Sequence, residues 1–281
     1  MTYTTLVSTD TLASHLDGSW VIVDCRYDLQ QPSAGREQYR GGHIPGAVYA
    51  SLSHDLAAAP TGRNGRHPLP APDAMAAAFG GLGISNDAQV IAYDEITGMF
   101  ASRLWWMLRY LGHEAVAVLD GGFAKWVREG RAVRTGNETR PGVTFTGRPR
   151  AEMVVSLRDV ESRPGNPARL LVDARAEERF AGRTEPLDRV PGHIPGAVSH
   201  HYAGNLTNEG TLRPEGELRE EFTRLIGSRP PEDVVMYCGS GVSACQNLLA
   251  LEHAGIHGAR LYPGSYSEWA ADPARPVEAS P

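Results

Sequence analysis

The feature that most constrains this chain is an internal repeat, because two copies of one sequence pattern predict two copies of one fold. The run Gly-His-Ile-Pro-Gly-Ala-Val at 42–48 recurs unchanged at 192–198. Three further matches keep the same order, and they pair 21–26 with 170–175, 90–94 with 234–238, and 119–122 with 261–264. The sequence therefore predicts two tandem domains, 1–137 and 152–281, joined by a linker at 138–151 that is rich in Pro and Gly.

Within each copy, short apolar runs alternate with segments of helical spacing. The runs 21–23, 90–93, 170–172 and 234–237 are uninterrupted and largely β-branched, which is typical of parallel strands buried on both faces. A chain of 281 residues is long enough for two such domains. We therefore predict an α/β fold with two domains, each a mainly parallel sheet flanked by helices.

The amino-acid composition limits the binding partners and the cellular compartment that we expect. A net charge of -6 gives no overall attraction to nucleic acid or to anionic lipid. Three cysteines are too few for a disulfide framework, and no segment has the pattern of a signal peptide or a membrane span, so we expect a cytoplasmic protein with no membrane partner. No Cys/His spacing resembles a zinc site, and we expect neither a metal nor a cofactor.

The two copies differ at one position where chemistry is expected. Asp94 stands in the first copy where Cys238 stands in the second, at the end of the run 234–237. Ligands of open α/β sheets bind beyond the carboxyl ends of the strands. A turn containing Gly239 and Gly241, followed by a helix, directs backbone N–H groups and a positive helix end toward the cysteine, which stabilises a thiolate. This context predicts a nucleophilic cysteine.

The repeat, the loop Cys238-Gly239-Ser240-Gly241-Val242-Ser243 and the two Gly-His-Ile-Pro-Gly-Ala segments resemble the rhodanese superfamily. The loop is similar to that of 3-mercaptopyruvate sulfurtransferases, whereas thiosulfate sulfurtransferases typically carry Cys-Arg-Lys-Gly-Val-Thr. The resemblance implies a sulfurtransferase that carries sulfur on Cys238 as a persulfide, with a catalytically silent first copy. It also implies a small-molecule sulfur donor and a thiol acceptor such as thioredoxin, or cyanide. Because the loop has no cationic side chain of its own, we expect 3-mercaptopyruvate to be preferred over thiosulfate.

The same resemblance implies roles for individual residues. Arg179 matches an arginine that binds substrate, and Arg189 is the candidate for a second one. Ser240 and His67 match the serine and the histidine of a proposed proton relay, and His67 is a candidate for a substrate contact or a base. Where the resemblance implies an aspartate, this sequence has Ser53, and Asp55 lies out of register.

Three alternatives to this reading are a thiosulfate sulfurtransferase with the same persulfide mechanism, a noncatalytic sulfur-sensing or scaffold module, and a cysteine phosphatase. The phosphatase is disfavoured because Ala244 stands where that chemistry needs an arginine. Cys25 and Cys245 are expected to be buried, with a redox role for Cys245 left open. His43 and His193 occupy the same position in the two copies, which favours a shared architectural role over a catalytic one.

Overall fold

The computed structural model describes residues 2–162 and 169–280, and its secondary structure follows the repeat. Its strands are β1 Leu6–Val7, β2 Val21–Asp24, β3 Val48–Tyr49, β4 Val90–Tyr93, β5 Val116–Leu119, β6 Leu170–Asp173, β7 Val198–Ser199, β8 Val234–Tyr237 and β9 Arg260–Leu261. Its helices are α1 Thr9–Ala13, α2 Ala34–Gly41, α3 Pro72–Gly81, α4 Met99–Tyr110, α5 Gly122–Arg128, α6 Leu157–Glu161, α7 Glu177–Phe180, α8 Glu215–Ile226, α9 Ser243–His253 and α10 Ser265–Trp269. Within the described ranges, no helix is both long enough and apolar enough to cross a membrane.

The first compact unit contains a sheet of five parallel strands in the order β1-β5-β4-β2-β3. It comprises Met1–Ala58, Pro70–Arg150 and a short segment of the second half, Leu206–Leu212. The strands β2 and β4 are buried along their whole length, as their β-branched composition predicts. Apolar side chains from these strands and from α5, including Trp126, form one of its core clusters.

The second compact unit contains a sheet of four parallel strands in the order β7-β6-β8-β9. A parallel bridge between Val154 and Leu261 stands where β1 pairs with β5 in the first unit. The unit comprises Ala151–Asn205, Arg213–Pro281 and also Ala59–Leu69 from the first half of the chain. Neither unit is therefore continuous in sequence, a feature that the repeat alone does not predict.

Each sheet has a buried ion pair at the same position, which shows how closely the second copy follows the first. Asp24 and Arg26 pair at 2.6 Å at the end of β2, and Asp173 and Arg175 pair at 2.6 Å at the end of β6. In each unit the arginine also lies over an aromatic ring, 4.1 Å from the centroid in the first and 4.0 Å in the second. The prediction of two α/β domains with parallel sheets is confirmed.

The repeated histidines have equivalent surroundings. His43 Nδ1 lies 2.7 Å from the carbonyl oxygen of Tyr39, and its ring stacks on that tyrosine. His193 Nδ1 lies 2.8 Å from the carbonyl oxygen of Phe180, and its ring stacks on that phenylalanine. Both histidines are buried. Packing and backbone hydrogen bonding account for their presence in both copies.

Candidate active site

Cys238 lies between the end of β8 and the start of α9, at the carboxyl edge of the second sheet, and is 2% exposed. The loop is fastened to the start of α10 by its backbone. The carbonyl oxygen of Cys238 accepts a hydrogen bond from the N–H of Tyr266 at 2.9 Å, and that of Gly239 accepts one from the N–H of Ser267 at 2.9 Å. The cysteine is thus held at the place where open parallel sheets bind ligands.

Ser265 positions the cysteine from the other side. Its Oγ accepts a hydrogen bond from the N–H of Cys238 at 3.1 Å and donates one to the carbonyl oxygen of Tyr262 at 2.9 Å. Among the described residues, Ser265 is the non-glycine residue with a positive φ, 56°. Its counterpart in the first copy is Gly122, with φ 60°, because the next residue in each copy, Tyr266 or Phe123, donates its N–H to the carbonyl oxygen of Cys238 or Asp94. Such strained backbone is typical of functional sites. Sequence reasoning missed Ser265, because the sequence match pairs Gly122 with Gly264 and only the structure shows that Ser265 takes the place of Gly122.

Gly241 is a glycine for two separate reasons. Its φ is 73°, in the left-handed region that side chains disfavour. A Cβ at this position would also lie 2.3 Å from the carbonyl oxygen of Pro263, a backbone atom that has little freedom to move. The loop therefore packs directly against the segment that leads into α10.

The structure brings Ser240 and His67 together, as the resemblance implied. Ser240 Oγ lies 2.8 Å from His67 Nδ1, and Ser240 is 6% exposed. His67 reaches the loop because Ala59–Leu69 is part of the second compact unit. In the first unit, Asp55 accepts a hydrogen bond from the N–H of Ser51 at 2.7 Å and so closes a local turn. The catalytic roles of Ser240 and His67 stay predictions.

Two arginines lie beside Gly239, and one of them was not predicted. A Cβ built on Gly239 would lie 2.5 Å from Nη2 of Arg66 and 3.6 Å from both Nη atoms of Arg179. The loop has no cationic side chain of its own, but these arginines from other segments bring positive charge to it in addition to the backbone N–H groups and the helix end. A side chain at position 239 would therefore force the guanidinium of Arg66 to move.

Arg66 and Arg179 are held by two buried carboxylates. Asp188 forms ion pairs with Arg66 and, at 3.1 Å, with Arg179, whereas Glu185 pairs with Arg179 at 2.7 Å. Burial raises the pKa of Asp188, although the cations of Arg66 and Arg179 act in the opposite direction. Burial alone would also raise the pKa of Glu185, but the hydrogen bonds from Arg179 and from backbone N–H groups lower it. Arg189 makes its contact elsewhere, with its Nε 3.5 Å from the carbonyl oxygen of Ala270, and its role stays a prediction.

In the first copy, the corresponding loop holds an anion of its own. The carboxylate of Asp94 accepts hydrogen bonds from the backbone N–H groups of Gly98 at 2.9 Å, Phe100 at 2.8 Å and Ala101 at 3.3 Å. Burial raises the pKa of Asp94, and these hydrogen bonds oppose the rise. The helix starts five residues after Asp94 and five residues after Cys238, so the two loops have the same length, although the left-handed glycine is Gly98 in the first and Gly241 in the second.

The remaining cysteines, Cys25 and Cys245, are buried, and all three cysteines are free thiols. Cys25 is 1% exposed, and burial together with the carboxylates of Asp24 and Asp94 raises its pKa well above the usual range. Cys245 lies inside α9, fully buried, with its Sγ 3.3 Å from the carbonyl oxygen of Gly241. Both are buried, as expected, and a redox role for Cys245 stays a prediction.

Comparison with known proteins identifies the family. A model of the rhodanese-like domain matches residues 8–129 and again 156–272. The chain is 44% identical to a "Probable 3-mercaptopyruvate sulfurtransferase" of Pseudomonas aeruginosa over 97% of each chain. It is 32% identical to "Thiosulfate/3-mercaptopyruvate sulfurtransferase 2" of Arabidopsis thaliana, over 94% of this chain and 81% of that protein. The crystal structure of SseA from Escherichia coli matches with a TM-score of 0.80 and 33% identity, over 94% of this chain and 99% of that one. This chain therefore belongs to the rhodanese family and contains two rhodanese-like domains.

Proposed function

We propose that this protein is a sulfurtransferase that takes sulfur from 3-mercaptopyruvate onto Cys238 and passes it to a thiol or to cyanide. The observation that carries the proposal is the environment of Cys238. This buried cysteine lies between the end of a strand and the start of a helix, and Arg66 and Arg179 lie beside the next residue, Gly239. The relatives named for this reaction cover almost the whole chain, which supports the same donor here.

In the first half-reaction, the Cys238 thiolate attacks the sulfur atom of the donor. A sulfur–sulfur bond forms, the carbon–sulfur bond breaks, and its electron pair leaves on carbon as the enolate of pyruvate. The donor carboxylate is bound by Arg66 and Arg179, whose planar guanidinium groups suit bidentate hydrogen bonding. A proton then converts the enolate to pyruvate, and the Ser240–His67 pair is well situated to deliver it.

In the second half-reaction, an acceptor thiolate attacks the outer sulfur of the persulfide. The sulfur–sulfur bond to Cys238 breaks, the acceptor leaves as a persulfide, and the Cys238 thiolate is regenerated. Cyanide as acceptor would leave as thiocyanate. Each step balances without an external oxidant or reductant, because the sulfane sulfur is transferred between nucleophiles.

The silent copy supports an anion-binding role for the loop. Three backbone N–H groups of the first loop converge on the carboxylate of Asp94, and the second loop has the same length up to its helix. A loop of this form stabilises a negative charge at its first residue, which in the second copy is the thiolate or the persulfide anion. A carboxylate in that place cannot carry sulfur, so we propose a single sulfur-carrying cysteine.

Thiosulfate is the second candidate donor, because the Arabidopsis relative is named for both donors and two cations lie beside the loop. The deciding experiment is a steady-state comparison of 3-mercaptopyruvate and thiosulfate with cyanide as acceptor, using wild type and Cys238→Ser. We expect a higher kcat/KM for 3-mercaptopyruvate in the wild type and no turnover of either donor by the variant. A higher kcat/KM for thiosulfate would replace the donor assignment. Turnover by a folded Cys238→Ser variant would reject the mechanism, and a wild type inactive with both donors would favour the noncatalytic module.

A further inference from the structure

Six charged side chains form an alternating row that ends beside Gly239. Asp173 pairs with Arg175 at 2.6 Å, and Arg175 pairs with Glu185 at 3.1 Å. The row continues from Glu185 through Arg179 and Asp188 to Arg66, with the contacts given above. Three cations and three carboxylates alternate along it, so their formal charges cancel.

Within this row, the two arginines nearest Gly239 are the side chains that are partly exposed to solvent. The side chains of Arg66 and Arg179 are 27% and 18% exposed, whereas those of Asp188 and Glu185 are 4% and 2% exposed. The two arginines therefore present their outer N–H groups beside Gly239, and the carboxylates that neutralise them lie behind. Among the residues that the structure describes, Asp188 is the carboxylate that contacts both of these arginines. An incoming anion meets hydrogen-bond donors whose charge is largely offset.

We propose that Asp188 is a positioning residue that sets donor preference by offsetting the charge of Arg66 and Arg179, favouring the singly charged 3-mercaptopyruvate over the doubly charged thiosulfate. The inference rests on the proposed function, because it concerns the donor site of that reaction. It also assigns Arg66 to the donor site as a partner of Arg179. Selectivity between the two anions then depends on net local charge, not on a cationic side chain within the loop.

The size of the effect follows from Coulomb's law. Removing the charge of Asp188 raises the net charge of the donor site by one unit. Thiosulfate has one more negative charge than 3-mercaptopyruvate, so it gains one more favourable charge interaction. At an effective dielectric constant of about 20 and a separation of about 7 Å, one extra charge pair corresponds to about fiftyfold in affinity. Salt screening reduces this figure, so the expected shift is about tenfold.

The first test is Asp188→Asn, which keeps the shape of the side chain and removes its charge. We expect the ratio of kcat/KM for thiosulfate to that for 3-mercaptopyruvate to rise about tenfold, mainly through the KM of thiosulfate. The matched control is Asp272→Asn in the same unit, whose side chain is 50% exposed. The control should leave the ratio unchanged. An unchanged ratio in a folded Asp188→Asn variant would overturn the proposal.

The second test varies the opposite charge. Arg66→Gln removes a partly exposed cation, so kcat/KM should fall for both donors; because the dianion thiosulfate loses one further charge interaction, the same ratio should fall about tenfold. The double variant Arg66→Gln with Asp188→Asn restores the wild-type charge count, so its ratio should return close to the wild-type value. A double variant that keeps the ratio of either single variant would contradict charge balance as the cause. If Asp188→Asn does not fold, an unchanged ratio in Arg66→Gln alone overturns the proposal.

Failure of the proposed function is distinguishable from failure of this inference. A protein that transfers no sulfur from either donor would refute the reaction, and no ratio would exist. A protein that uses both donors with one fixed ratio in every charge variant would retain the reaction and refute the role of Asp188.

Discussion

Replacing Gly241 with alanine tests the packing that holds the catalytic loop against α10. The φ of 73° costs an alanine about 1 kcal/mol relative to glycine. The new Cβ would lie 2.3 Å from the carbonyl oxygen of Pro263 and 2.9 Å from its Cα, and relieving such backbone overlap costs about 1–3 kcal/mol. We therefore expect Gly241→Ala to lose about 2–4 kcal/mol of stability, which corresponds to a fall of about 4–16 °C in Tm.

The assay combines thermal unfolding with steady-state sulfur transfer. Because the overlap pushes the loop away from the segment before α10, the hydrogen bonds from Tyr266 and Ser267 to the loop should weaken and activity should fall as well. The matched control is Gly216→Ala in α8, where a Cβ would meet nothing within 4 Å and alanine should stabilise the helix by up to about 1 kcal/mol. A Gly241→Ala variant with the Tm of the wild type and full activity would refute this account of the loop.

Three further changes test the surroundings of the cysteine. Arg179→Ala should lower kcat/KM for 3-mercaptopyruvate by about tenfold to a hundredfold, because it removes charge-assisted hydrogen bonds; unchanged kinetics in a folded variant would exclude it from the donor site. Ser265→Gly should keep Tm close to that of the wild type, because relief of the positive φ offsets the lost hydrogen bonds, while kcat/KM falls about tenfold. Wild-type activity would show that Ser265 does not position Cys238. The lowered pKa of Glu185 means that its ionised form stabilises the fold at neutral pH and that this stability is lost as pH falls through the folded-state pKa. Glu185→Gln should therefore be about 3 kcal/mol less stable at pH 7, and the difference should shrink below about pH 4; a constant difference across this range would contradict the assignment.

The sequence alone predicted the features that depend on local pattern and on the repeat. Buried β-branched runs predicted the parallel strands, and the position of Cys238 after one of them predicted its place at the carboxyl edge of the sheet. The contrast between Asp94 and Cys238 separated the two copies because both loops have the same length up to the following helix.

The rest of the site depends on contacts between segments that are distant along the chain. His67 and Ser240 are 173 positions apart, and no local pattern indicates that Ala59–Leu69 folds with the second unit. The resemblance supplied His67 but not its neighbour Arg66, since a partly exposed arginine beside a loop has no periodicity to mark it. Asp188 was missed for the same reason, because the charge row that it completes is assembled only in the folded chain.

Intact-mass spectrometry after treatment with 3-mercaptopyruvate tests the central claim most directly, because it detects the sulfur that Cys238 is proposed to carry. The wild type should gain the mass of one sulfur atom, lose it again on addition of cyanide, and yield the persulfide on the peptide that contains Cys238. The Cys238→Ser variant, which keeps the loop but lacks the nucleophile, should gain nothing. A persulfide located on Cys25 or Cys245, or an equal gain of sulfur by Cys238→Ser, would contradict the account.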